Sequence, residues 1–186
     1  MPIAGDENTI AARVVNENAR RNSISNSVTI DGVTYQFEEW EFEPEFAMVL
    51  PKSFEDLAPE YIRIKYPRED RPEIILSSED TTVNFAFSCD EVPPESLETR
   101  LIKYKAVAKR LIPGYVFLTD MVYKLENGME AACYDYRLSA LDDEIYSLCF
   151  FTDLPKGQLF CWFTCPIESQ TKWEPLVRQM IQTVRY

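Results

Sequence analysis

The sequence contains no histidine. That absence removes the usual general base, the Ser–His and Cys–His nucleophile pairs, and imidazole metal ligands. Catalysis by this chain would have to use carboxylates, Lys, Tyr or an unaided Cys. Glycine is scarce as well, with five in the chain and no two close together. A phosphate-cradling loop needs clustered glycines, so mononucleotide and dinucleotide motifs are missing. No C-x-x-C pair occurs, which leaves the ordinary zinc patterns without ligands. No apolar run approaches the roughly 18 residues that cross a bilayer. The first residues lack a basic stretch followed by an apolar core, so no secretory signal is expected. Pro2 follows Met1, and the final residues are not a prenyl box, so no lipid anchor is expected either. The reading is a chain with no cofactor, no metal and no membrane partner, and not an enzyme.

What is present points elsewhere. There are 31 acidic and 19 basic residues, for a formal net charge of −12. Nucleic acid is therefore not an expected partner, because phosphate must be neutralised by Lys and Arg. A basic protein is the partner that suits such a surface. Five cysteines, Cys89, Cys133, Cys149, Cys161 and Cys165, fall in or at the end of apolar strands. In a chain of 186 residues that pattern predicts reduced, buried thiols and a cytoplasmic protein.

The length fits one domain with a single core. Residues 1–26 are polar with weak periodicity and are expected to be disordered or loosely docked, leaving 27–186 as a single α+β domain. Asp31-Gly32 between Val28–Ile30 and Val33–Phe37 predicts a hairpin, since a type I′ turn needs positive φ at both central residues. The second strand reads on through FEEWEFEPEF, with Glu39, Glu41, Glu43 and Glu45 alternating against Trp40 and Phe42. Period-two alternation puts carboxylates on one face and aromatics on the other. Phe46–Leu50 is a further apolar run ended by Pro51. Ser53 is placed to cap a short helical turn through Leu57. Tyr61–Tyr66 alternates like a strand or the end of a turn. Glu73–Ser77 and Thr81–Phe87 read as a hairpin, with Val83, Phe85 and Phe87 on one face.

Leu97, Leu101, Tyr104, Ala108 and Leu111 mark the apolar stripe of a helix that Pro113-Gly114 ends. Four strands follow, near 115–125, 129–138, 144–153 and 158–165, joined by short turns that force antiparallel neighbours. The last two strands are apolar on both faces, which predicts cover on both. A final helix over about Ser169–Val184 buries Trp173, Leu176, Val177, Met180, Ile181 and Val184, with Thr171 and Glu174 spaced as a capping box. The architecture expected is an antiparallel β-sheet meander covered by helices on both faces, an α/β/α sandwich of the α+β class.

Three stretches carry a resemblance. They are Phe46-Ala47-Met48-Val49-Leu50-Pro51, Ser96-Leu97 at a helix start, and Trp173-x-x-Leu176-x-x-x-Met180-Ile181. Together with the element order they make the chain, from about Val33 to Tyr186, resemble the PsbP-like fold family, which includes bacterial DcrB-type domains and Ran-binding Mog-type proteins. The resemblance implies a PsbP-like fold and a largely non-catalytic protein that binds other proteins or assists assemblies. It transfers no functional residue to this chain. The first residues show no signal-peptide or lipobox pattern, so the envelope role of the exported members is not expected of this chain.

Two sets of residues are candidates for a site. The first is the acidic strand face of Glu39, Glu41 and Glu43, suited to docking a basic protein. The second is the charged corner and hairpin, with Tyr66, Arg68, Arg71, Asp80 and Asn84. An arginine pair there is suited to gripping a carboxylate or phosphate, and the cluster is the alternative reading as a small-ligand binder or histidine-free enzyme. The blander expectation is that Arg68 and Arg71 pair with neighbouring acids while Asp80 satisfies turn backbone. Asp142-Asp143-Glu144 lacks the spacing of a calcium loop.

Overall fold

The computed structural model describes residues 23–42, 45–111, 114–139 and 144–186. Glu43, Pro113, Asp142, Asp143 and most of the segment up to residue 26 lie outside the described residues.

Strands β1 (Val28–Ile30) and β2 (Val33–Tyr35) form the expected hairpin. Asp31 and Gly32 both take positive φ, 49° and 85°, as a primed turn demands. The second strand does not run on. The chain breaks at Gln36, whose carbonyl accepts the N–H of Lys52. It resumes as β3 (Phe37–Phe42), which pairs with β4 (Phe46–Pro51) in a separate two-stranded sheet.

The expected helical turn at Ser53–Leu57 is absent. In its place is β5 (Glu55–Asp56), a short strand against β6. The helix comes later, as α1 (Pro59–Lys65). Pro59 occupies its first turn, where a missing N–H costs nothing, and Ala58 takes the extended conformation that a following proline imposes. The alternation of Tyr61–Tyr66 is therefore not a strand. Ile62 packs inward, while Ile64 is left exposed.

Strands β6 (Ile74–Ser77), β7 (Asn84–Asp90), β8 (Tyr115–Lys124), β9 (Glu130–Ser139), β10 (Glu144–Leu154) and β11 (Gly157–Pro166) complete the main sheet. Its order is β5-β6-β7-β11-β10-β9-β8, all antiparallel. Strand β8 is an outer edge and carries a bulge at Leu118, between Phe117 and Thr119. The helix α2 (Leu97–Leu111) begins at Ser96, whose Oγ accepts the N–H of Thr99. After a 3₁₀ turn at Ile167–Ser169 comes α3 (Gln170–Gln182). Its start lies at Ser169, so Thr171 and Glu174 form no capping box. Glu174 accepts from Gln170 and Arg178 instead. Pro175 sits inside the helix and withholds the N–H that the Thr171 carbonyl would otherwise accept.

The chain is thus α+β, with a large antiparallel sheet and, among the described residues, three α-helices. Alternate residues of β9 and β10 enter different clusters, because successive side chains leave a strand on opposite faces. Cys133, Leu148 and Phe150 join Phe85, Phe87 and Phe163 with Trp173, Leu176 and Met180 of α3. Ala132, Tyr134, Cys149 and Phe151 join Leu97 and Leu101 of α2. A third, small cluster sets Tyr66 and Leu57 against Ile75 and Ala86, with Trp162 beside it. All five cysteines are free thiols, and four are buried.

Candidate functional site

The acidic strand is β3. Glu38, Glu39 and Glu41 are exposed, while Trp40 and Phe42 turn partly into the core. Phe42 anchors the strand by stacking on Phe46 at 4.6 Å between ring centres. Two cations answer the carboxylates. Arg185 Nε donates to Glu39 Oε2 at 3.0 Å and Nη2 to Oε1 at 2.6 Å. The same guanidinium lies 3.8 Å from Glu41, and Lys52 lies 3.4 Å from Glu38. Arg185 is itself positioned by backbone bonds to Ala47. Its hydrogen bonds hold the Glu39 carboxyl below the usual range. Glu39 and Glu41 thus share one face, as the alternation predicts.

The second candidate set spreads out. Arg68 grips Asp70 with Nε and Nη2, each at 2.8 Å, and both groups are exposed. Arg71 stands in solvent. Asp80 closes the β6–β7 turn by accepting from Ser78 Oγ at 2.6 Å and from the N–H of Thr82 at 3.1 Å. Burial raises its pKa, but these bonds outweigh it and leave the carboxyl below its ordinary value. Thr81, at φ 62°, presents its carbonyl to Asn84 Nδ2 at 3.2 Å and to Lys65 Nζ. Asn84 is buried, and its Oδ1 accepts from Ser77 Oγ at 2.9 Å. Tyr66 is buried edge-on against Trp162, with ring centres 5.9 Å apart. Burial pushes its hydroxyl up to about 12.

Tyr66 and Asn84 do come together, at a cleft of about 510 Å³. Ser147 of β10 and Trp162 and Thr164 of β11 line it, together with Lys65 and Glu144. Arg68, Arg71, Asp80, Glu39 and Glu41 do not line it. Among the described residues no group of three or more Cys, Asp or Glu side chains is placed to hold a metal.

Two solved structures superimpose on this architecture. The solution structure of PsbP (CyanoP) from Synechocystis sp. PCC 6803 does so at a TM-score of 0.58 and 12% identity, over 86% of this chain and 97% of its own. The fold is PsbP-like. The crystal structure of the Saccharomyces cerevisiae Ran-binding protein Mog1p superimposes at a TM-score of 0.51 and 12% identity, over 81% of this chain and 95% of its own. No protein-family profile and no curated protein matches the chain in sequence. In this PsbP-like domain the three stretches that carry the resemblance fall on β4, the start of α2 and the buried face of α3.

Two polar networks have no signal in the sequence pattern. Asp135, nearly fully buried on β9, accepts from Thr119 N at 2.7 Å, Tyr146 Oη at 2.8 Å and Arg178 Nη2 at 3.2 Å. Arg178 reaches it from α3 while its Nε donates to Glu174 Oε1 at 3.0 Å. Burial drives the Tyr146 hydroxyl pKa strongly upward, and Asp135 adds to the rise, so the phenol stays protonated and donates. On α2, buried Arg100 donates to Gln158 Oε1 at 2.7 Å and to Asp153 Oδ2 at 2.8 Å. Both networks fasten a helix to the sheet through charge-assisted hydrogen bonds.

Proposed function

We propose that this PsbP-like domain is a non-catalytic protein-binding module whose partner is basic. The observation that carries the reading is β3. An edge strand holds exposed Glu39 and Glu41 on one face, with Trp40 and Phe42 on the other face turned partly into the core. Among the described residues Lys52 and Arg185 are the cations that offset these charges locally, and the chain as a whole carries −12. Such a field steers a cationic partner toward the strand. That the structurally similar Mog1p is a Ran-binding protein supports a protein partner in kind. In this reading the partner's Lys or Arg displaces Arg185 from Glu39. In this reading the domain works in the cytoplasm of a bacterium, and its five free thiols support a reducing compartment. The division of β9 and β10 between the α2 and α3 clusters supports an α/β/α arrangement of layers.

Catalysis or ligand binding by the 66–84 cluster would need Tyr66, Arg68, Arg71 and Asp80 on one cavity, and of these only Tyr66 lines the cleft. The test of the protein-binding reading is affinity capture at two salt concentrations, with the wild type beside E39Q/E41Q. A partner retained at low salt should be lost at high salt and lost by the double variant. Equal recovery by both proteins would defeat the reading.

A further inference from the structure

We infer that the cleft above Trp162 is a binding site for a small organic cation with a flat apolar body. The inference is independent of the β3 surface and goes beyond it. Three observations carry it. The first is size, since about 510 Å³ lies within the range that holds a compact organic molecule. The second is the floor. Trp162 is half-buried and open to the cleft, with Tyr66 set edge-on to it at 5.9 Å. An indole face attracts cations as well as planar apolar groups, and Trp is the strongest of the aromatic platforms for both.

The third is charge. Ile145 and Pro166 are register partners; Glu144 precedes Ile145, Glu168 lies two residues beyond Pro166, and both line this end of the cleft. Neither carboxylate enters an ion pair among the described residues. Among the described residues Lys65 is the one cation on the lining, and it stands on the β7 side. Its ammonium is already given to the Thr81 carbonyl. Strands β7, β11 and β10 are consecutive, so the two sides lie about two strand spacings, or about 10 Å, apart. A ligand with its flat body on Trp162 and its cation at Glu144 and Glu168 avoids Lys65. An anion in the same place would meet two carboxylates.

Three probes share an indole body and differ in charge: tryptamine, tryptophol and indole-3-acetate. Binding to the full chain is followed by amide NMR shifts at Ser147 and Thr164 and by calorimetry. Tryptamine should saturate, shift both amides and bind more tightly than tryptophol, with indole-3-acetate weakest. E144Q/E168Q should weaken tryptamine about three- to tenfold and bring it close to tryptophol. Thr164→Trp, which fills the cleft from a half-buried position, should abolish binding of all three. E39Q/E41Q should change nothing, which separates this site from the β3 surface. The inference is overturned if no probe saturates, if indole-3-acetate binds most tightly, or if E144Q/E168Q leaves tryptamine binding unchanged. If T164W loses its folded circular dichroism, the exposed glutamate pair still decides the matter.

Discussion

Arg178 of α3 donates to Asp135 of β9 at 3.2 Å, joining a guanidinium with 28% side-chain exposure to a carboxylate with 3%. The pair sits where the apolar face of α3 meets the sheet. Arg178→Ala would leave Asp135 buried with only Thr119 and Tyr146 as donors. Removing one partner of a buried pair costs about 3 kcal/mol or more. The urea midpoint should fall accordingly. Arg178→Met, which keeps the side-chain volume, should rescue little of the loss. A midpoint unchanged within error would mean that Asp135 is satisfied without its cation.

Trp173 is the largest fully buried side chain and faces Tyr35 at 4.9 Å, Phe163 at 5.9 Å and Phe54 at 6.1 Å. It ties α3, the β1–β2 hairpin and the sheet into one cluster. Trp173→Ala should cost about 3–5 kcal/mol, the range for truncating a buried large aromatic. Loss of the near-ultraviolet tryptophan signal together with early melting is the expected result.

Asp31 offers a pH dependence. Lys172 and Ser169 donate to its carboxyl, Ser169 Oγ at 2.6 Å, and the bond from Lys172 is the main cause of its lowered pKa. A depressed folded pKa gives stability that is present above the unfolded value of about 3.9 and is lost as pH falls through the folded one. Asp31→Asn keeps a residue that tolerates the turn's positive φ. It should destabilise the domain at neutral pH by no more than about 1 kcal/mol, because the pair is solvent-exposed. The difference from wild type should vanish below the folded pKa, which lies under 3.8. Melting curves across that range check both the sign and the window.

The thiols should be quiet. Burial pushes Cys149 up to about 12 and half-buried Cys89 up to about 11, so neither is thiolate near neutrality. Ellman's reagent at pH 8 should titrate at most Cys89, slowly, in the native protein. All five should react after denaturation. Fast native reaction of two or more thiols would contradict the packing around β10 and β11.

Local signals were readable and distant ones were not. Asp31-Gly32 announces its hairpin because the turn's φ angles select those residues. The β9–β11 meander follows from short turns and alternation. Helix α1 is not legible because Ile62 and Ile64 alternate with Arg63 and Lys65, a pattern shared by a strand and by a short, mostly exposed helix. The break at Gln36 carries no proline or glycine to mark it. Asp135 and Arg178 are 43 positions apart, and their meeting depends on how α3 docks. Of the cleft, the sequence marks Tyr66 and Asn84, polar residues near a hairpin. It does not mark Trp162, Glu144 and Glu168, since β10 and β11 are apolar on both faces and nothing in that pattern distinguishes a covered stretch from an open one.

The bulge at Leu118 has a consequence for how the protein behaves among its own copies. Strand β8 is ten residues long and, among the described residues, unpaired on its outer side, with Val116, Leu118 and Met121 exposed. A straight strand of that composition is a template on which other chains crystallise into fibrils. The extra residue shifts the outward row of N–H and C=O groups by one place midway along it, so an incoming strand can stay in step with only half. The same bulge that sets Thr119 beside Asp135 thus makes the outer edge of β8 a poorer template for a further strand.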